Sequence, residues 1–309
     1  MSTASARFRS SFVVVALVTA AQAGCGRAGF VEPVTSFQEA SSVVIASTRL
    51  YLTELNKVER EHYLTDQANK RLQIKLPELE AVEVFSREGL KARLDALDHL
   101  ARYGSLLSRL AKSDAPERVK AETEALGASL KGLTETVSTL QGDDNKAFKS
   151  AVGPAATLIG QVLSLIVEQK LREALRTAVE RGEEPVNQLV TAIGDDVVVA
   201  YERKRNSLSN LRVVFVDQYN LEQQKPAPDL GRLRALADQI RTHEDRWEVF
   251  ASANPASGLD AMRNAHTALV VYARSAGRVN DLANLVQAME TFAARAKRLG
   301  RAVVALQEL

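Results

Sequence analysis

Apolar residues in this chain recur at steps of three and four over long stretches, the spacing that lines them along one face of an α-helix. The first stretch carries Phe37, Val44, Ile45, Tyr51, Leu52, Leu55, Val58 and His62 and runs to about Leu72. Thr35 is followed by Gln38 and Ser36 by Glu39, so either pair can close a capping box and start that helix. Beyond Pro77 a second helix is expected through Phe85, Leu90, Leu94, Leu97, Leu100, Leu107 and Leu110, stopping at Ser113-Asp114-Ala115-Pro116. Asp114 stands where it can cap a third helix through Val119, Leu126, Leu130, Leu133, Val137 and Leu140. Gln141-Gly142-Asp143-Asp144-Asn145 has the composition of a turn.

A fourth helix is expected from about Asn145 to Arg181, with Gly182 as its stop, and a fifth from Pro185 through Leu189, Ile193, Val197, Tyr201, Leu208, Leu211 and Phe215 to Gln218. The fifth contains Val197-Val198-Val199 and Val213-Val214-Phe215-Val216, whose β-branched chemistry also suits strands. Pro226-Ala227-Pro228 breaks the pattern, Asp229 can cap a sixth helix to about Phe250, and Asn254-Pro255-Ala256-Ser257-Gly258 breaks that one. The last stretch is the most regular, from Leu259 through Met262, His266, Leu269, Ala273, Ala276, Val279, Leu282, Val286 and Met289 to Val303 and Leu306. Read as one helix it is roughly 72 Å long and needs an equally long partner. All eight prolines except Pro154 fall where the apolar spacing breaks, and no convincing strand or hairpin signal is found.

The expected fold is therefore all-α, an elongated antiparallel bundle of long helices over residues 35–309 with the first and last helices paired. Composition agrees, since Ala, Leu, Glu, Lys and Arg supply 147 of the 309 residues and aromatics only 5%. Lys plus Arg is 40 against 38 for Asp plus Glu, and Arg7 and Arg9 are the only charges in residues 1–24. Without those two the balance is even, which excludes nucleic acid or acidic lipid binding by bulk charge alone. The single cysteine excludes a disulfide framework within the chain and a cysteine-clustered zinc site.

Residues 1–11 are basic and lead into Phe12-Val13-Val14-Val15-Ala16-Leu17-Val18-Thr19-Ala20-Ala21, which is shorter than the roughly 20 residues an ordinary membrane-spanning helix needs. A basic start, a short apolar middle and a small-residue end make residues 1–24 an expected export signal. Ala21 and Ala23 suit ordinary cleavage before Gly24, which leaves a soluble periplasmic or secreted protein. Ala23-Gly24-Cys25 instead resembles the lipobox of bacterial lipoproteins, although Gln22 stands where that pattern has an aliphatic residue. The resemblance implies that Cys25 carries a diacylglycerol with palmitate-type chains, becomes the first mature residue and anchors the protein in a membrane. Gly26, in place of the Asp associated with inner-membrane retention, implies the periplasmic face of an outer membrane. Residues 25–34 are expected as a tether, and the eight from Gly26 to Pro33 reach at most about 28 Å.

No catalytic set assembles on paper. Glu59 and His62 form one Glu-x-x-His, but a di-iron bundle needs a second copy, and His99, His243 and His266 lack Glu three residues earlier. His243-Glu244 starts like a zinc protease motif, yet Trp247 stands at the second ligand position. Gly127 and Gly132 have phosphate-loop spacing, but Leu133-Thr134 follows where Lys and a hydroxyl residue are required. Asp143-Asp144 and Asp195-Asp196 suit turns and solvated surfaces, and neither cofactor nor metal is expected.

The remaining feature is residues 150–167, which carry no charge. They are expected as a helix at the centre of the bundle, where being apolar all round costs nothing. The alternative is insertion into a membrane, as in helical pore-forming proteins. The functional expectation is a lipid-anchored envelope protein that binds or spaces other components, with the membrane and a protein as partners and no enzymatic role.

Overall fold

A computed structural model describes residues 28–112, 115–140, 146–168, 170–252, 254–275 and 278–308. The described residues form helices and their connections, with no strand among them. The helices are α1 (Ala28–Lys70), α2 (Leu76–Ala81), α3 (Arg87–Lys112), α4 (Pro116–Thr139), α5 (Lys146–Val167), α6 (Leu171–Gln223), α7 (Leu230–Ser252), α8 (Pro255–Arg274) and α9 (Val279–Glu308). The all-α bundle expected from the apolar spacing is what the chain forms.

Three boundaries follow the local signals. Proline occupies the first turns of α2, α4 and α8, where its missing N–H costs no hydrogen bond. Asp229 caps α7 by accepting from the amides of Gly231 at 2.8 Å and Arg232 at 3.2 Å. Asn254 caps α8 through the Ala256 amide at 3.0 Å. The cap of α4 falls on Ala115, which has no side-chain acceptor, while Asp114 lies outside the described residues.

Other boundaries moved. α1 begins at Ala28 rather than Thr35 and carries Pro33 within it, so residues 28–34 are helical instead of forming a tether. The break expected at Gly182 and Pro185 comes earlier, between Val167 and Leu171, where the Lys170 amide reaches back to the Leu165 carbonyl at 2.9 Å. α6 then runs unbroken through both Gly182 and Pro185 for 53 residues, about 80 Å. Val197-Val198-Val199 and the second valine run sit inside it as helix. The last apolar run is two helices, not one. α9 runs back along α8, so that Gly258 faces Leu299 and the tip of α8 lies near the start of α9. The step from Ala273 to Val279 keeps the phase of threes and fours, so apolar spacing does not register the turn. Val279 is 81% exposed and the seam of α9 is Leu285, Met289, Phe292, Ala296, Leu299 and Val303.

The helix directions follow from who touches whom. α3 and α8 run antiparallel to α1, with Gly104 beside Gln38 and Gly258 beside Val44. α9 runs parallel to α1, with Phe292 against Phe37 and Gly300 against Val43. The first and last helices are thus paired as expected, and the reversal before α9 makes that pair parallel. α3 buries fourteen of its residues against α1, α4 and α6, which makes it the central helix. α5 is peripheral: Ala155, Leu158, Ile159, Val162 and Ile166 pack inward, whereas Ser150, Pro154, Thr157, Gly160 and Ser164 are exposed. The expectation of a central helix over residues 150–167 is corrected on that point. Its exposed face needs no charge because these side chains are small or hydroxylated.

Between its two ends the bundle is held by a crossing of α3, α6 and α8. Tyr103 of α3 lies over Gly182 of α6, and a Cβ there would collide with the Tyr103 hydroxyl. Glycine at 182 is therefore a requirement of close approach, not of termination. Higher up, Arg93 is 3% exposed and grips Asp196 with two bonds, Nε to Oδ2 at 2.8 Å and Nη2 to Oδ1 at 2.9 Å. Its Nη1 donates to the Gly89 carbonyl and its guanidinium covers the Phe85 ring at 4.2 Å.

The end of α6 leaves the bundle with α7 as an antiparallel pair. Tyr201, Leu208 and Phe215 recur every seven residues on α6, as Leu236, His243 and Phe250 do on α7. Tyr51 of α1 joins Tyr201 and Phe250 in an aromatic stack at the root. Glu222 closes the tip by accepting from Lys225, Arg232 and the Asp229 amide.

Substituting Gly182→Ala is expected to destabilise the protein by roughly 2 kcal/mol, the ordinary cost of forcing one methyl group into a filled interior. The double variant with Tyr103→Phe should recover part of that loss, because the colliding oxygen is gone. Urea unfolding of the four variants measures the coupling, and additive effects would contradict the close approach.

Candidate functional site

Polar groups inside the bundle are the first place to look for chemistry, because burial is costly unless each group has a partner or a task. Tyr103 and His266 are both buried, with the hydroxyl 2.7 Å from His266 Nε2 and 3.0 Å from the Ala178 carbonyl. One arrangement satisfies both contacts: Nε2–H donates to the Tyr103 oxygen, and the hydroxyl donates to Ala178. It leaves only the acceptor nitrogen Nδ1 of His266 without a partner. Burial pushes the His266 imidazole down to about 4 and the Tyr103 phenol far upward, so both are neutral near pH 7. His99 is likewise pushed down to about 4 by burial and by Arg102.

These groups do not form a reaction site. The space beside His99 and Tyr103 amounts to about 10 Å³, walled by Leu158, Ile159, Pro185 and Leu189, and holds no substrate. His243, in the seam of α6 and α7, stands against Phe215, with the Leu208 backbone beside its ring. Among the described residues no three His, Cys, Asp or Glu side chains converge as a metal site. Glu59 has no such companions among the described residues, and the side chain of His62 lies outside them. Asp196, expected as a surface residue, is instead the partner of buried Arg93. Gly127 packs against Ile159 within α4 and forms no loop.

The lipidation candidate, Cys25, lies outside the described residues, as does the rest of the expected export signal. What is described starts three residues later, with α1 already helical at Ala28. Three residues of any conformation span no more than about 11 Å, well under the reach expected for an eight-residue tether. The end of the bundle that contains Ala28 also contains the turns from α3 to α4, α5 to α6 and α8 to α9, as the helix directions above require. The opposite end presents Leu72, Ile74 and Leu76 beyond α1, and Leu221 and Leu230 at the tip of α6 and α7, all more than half exposed.

Two surface clefts complete the inventory. One, of about 310 Å³, runs between α8 and α9 and is lined by neutral amides and hydroxyls, chiefly Asn264, Asn284, Gln287 and Thr291, with Arg295 at its edge. The other, of about 660 Å³, lies at the corner of α3 and α4 against α1 and is lined by Gln38, Ser105, Ser108, Arg109, Lys112 and Arg118. The sequence reading missed this corner. Its signal was present as Arg109, Lys112 and Arg118 on the two sides of one expected break, and the even charge of the chain as a whole hid it.

No known protein family, no curated protein and no solved structure matches this chain.

The two buried histidines give a pH dependence whose sign is fixed. Their folded values lie below the value of about 6.5 in an unfolded chain, so the unfolded state binds more protons between those limits. Stability contributed by the neutral rings is complete above pH 6.5 and declines as pH falls toward 4. His99→Leu should reduce the slope of unfolding free energy against pH by up to one proton across that window. Equal slopes in the two proteins, measured by urea unfolding at pH 7, 6, 5 and 4.5, would contradict the burial of that ring.

Proposed function

We propose that the chain is a lipid-anchored protein of a bacterial envelope, whose bundle binds or spaces other envelope components and performs no catalysis. The observation that carries this reading is the position of Cys25. The one cysteine of the chain ends an apolar run behind a basic start, and helix begins three residues after it. Two acyl chains hold a protein stably at a bilayer, because each buried methylene contributes about 0.8 kcal/mol. With the anchor at that point, the bundle stands directly on the lipid surface, and a helix of about 80 Å leads away from it.

The shape supports spacing, and the exposed leucines at the far end suit contact with a protein partner. Gly26 after the cysteine fits the periplasmic face of an outer membrane. The buried Arg93–Asp196 pair and the Tyr103–His266 contact join helices of the bundle, and the space beside His99 and Tyr103 is about 10 Å³, which favours a binding role over a chemical one. No helix among the described residues is long and apolar enough to cross a membrane.

Growth with a fatty-acid analogue is expected to label the wild-type chain and not Cys25→Ser, and the unlabelled variant should move from the membrane to the soluble fraction. Mature protein that begins at Gly24 and carries no label would overturn the proposal.

A further inference from the structure

We propose that the outer face of α6 pairs with the same face of a second copy of this chain, the two helices running antiparallel about a two-fold axis at Asn210. Beyond Tyr201 the inner side of α6, with Leu208 and Phe215, packs on α7. The opposite side carries a second row at steps of three and four. Its apolar members are Val199, Val213, Val214 and Leu221, and Arg203, Asn206, Asn210 and Asp217 stand between them. No described residue covers this row: the apolar members are between 45% and 65% exposed, and the polar ones are exposed as well. Valines weaken a helix that leaves them in water and stabilise one that buries them against a neighbour.

The order of charges along the row decides what the neighbour is. Arg205 and Arg212 have carboxylate partners within the chain, Glu202 and Glu244. Arg203 and Asp217 have no ion pair among the described residues. These two stand seven residues on either side of Asn210, Asn206 and Val214 stand four, and Val199 and Leu221 stand eleven. An antiparallel copy centred on Asn210 therefore sets Arg203 opposite Asp217 twice, Val199 opposite Leu221 twice, and Asn210 opposite itself. Each charge left open in the single chain gains its opposite. A parallel pair at equal height would set Arg203 against Arg203 and Asp217 against Asp217, so the charges that favour one direction oppose the other. At the axis an asparagine amide both donates and accepts, so Asn210 can bond to its own copy and fix the register.

A second copy is favoured over an unrelated protein because the face is complementary to itself, as a two-fold interface requires. The contact runs from Val199 to Leu221, about 33 Å of helix. It joins two helix pairs, each with a narrow buried seam, into a four-helix arrangement with a wider one. α6 begins at Leu171, at the end of the bundle that contains Ala28, and about 58 Å of helix separates Leu171 from Asn210. The antiparallel copy points its own Ala28 end the opposite way, which places the two ends roughly 120 Å apart. Pairing does not depend on lipid. Only its consequence rests on the anchored reading above: two copies joined through α6 would space two lipid surfaces.

The test uses the full chain as Cys25→Ser, which removes both the acyl chains and the native thiol. Sedimentation equilibrium is expected to return twice the mass of the chain. Arg203→Asp sets like charges opposite each other and should weaken the dimer at least tenfold, and adding Asp217→Arg should restore it to within about threefold. The control Arg241→Asp, at an exposed cation of α7, should leave it unchanged. Asn210→Cys in the same background is expected to give a disulfide-linked dimer on mild oxidation. Arg203→Cys alone should not link, whereas an equal mixture of Arg203→Cys and Asp217→Cys chains should. The substituted positions are exposed, so circular dichroism should show unchanged helix content. A dimer that Arg203→Asp leaves intact, or linkage of Arg203→Cys to itself, would overturn the antiparallel pairing. A single-chain mass at every concentration up to about 100 µM would also overturn it and assign the face to a different protein. Failure of Cys25 to carry lipid changes none of these measurements, so the anchored reading and the pairing fail separately.

Discussion

The whole arrangement turns on how closely α3 can approach α6. At Gly182 the approach is so tight that only a hydrogen atom fits beneath the Tyr103 ring, and the hydroxyl beyond it joins the α6 backbone at Ala178 to His266 of α8. His266 in turn faces Phe37 of α1, which faces Phe292 of α9. One small residue thus sets the spacing of five helices. A polar contact buried at this depth is stronger than in water and leaves little freedom in relative orientation, so it specifies the packing as well as stabilising it.

Away from that crossing the chain divides its interior by chemistry. The middle of the bundle spends its charge on Arg93 and Asp196, a pair whose desolvation is offset by a two-point grip, a backbone acceptor and an aromatic face. Asn56 does the same without charge, exchanging two hydrogen bonds with the Phe85 backbone to hold the short link before α3. Where α6 and α7 leave the bundle, the stacked rings of Tyr51, Tyr201 and Phe250 replace polar contacts altogether. Beyond them only a narrow seam is buried, so the pair of helices shows most of its surface to solvent. The two ends consequently differ: one gathers helix turns and cations beside the start of α1, the other exposes leucines.

Much of the candidate site was legible in part. Cys25 and its apolar approach are visible in the linear sequence because the expected export signal is a linear segment. The cations at the α3 and α4 corner were equally visible as letters, but their convergence depends on the chain reversing between Lys112 and Pro116 and on Gln38 arriving from a helix far away in sequence. The partner of Arg93 could not be found by spacing, since Asp196 stands 103 residues away and looked like one half of an exposed acidic pair.

The sequence by itself determined that nearly every segment is helical, because apolar spacing and the scarcity of strand chemistry act within a turn or two of chain. It also determined the ends that carry local signals: Asp229 as a cap, Pro116 at the start of α4 and the break at Asn254-Pro255 before α8. Tertiary structure decided where helices do not stop and where they do. Gly182 and Pro185 carry the letters of a break yet lie inside α6, since the ring of Tyr103 needs the space at the first and the surrounding packing holds the helix through the second. The chain reverses between α5 and α6 and between α8 and α9 with little local warning, because the reversal is set by the long helices on either side finding each other. Periodicity records which face of a helix is buried, and it is blind to what that face is buried against; only the folded bundle supplies the second fact.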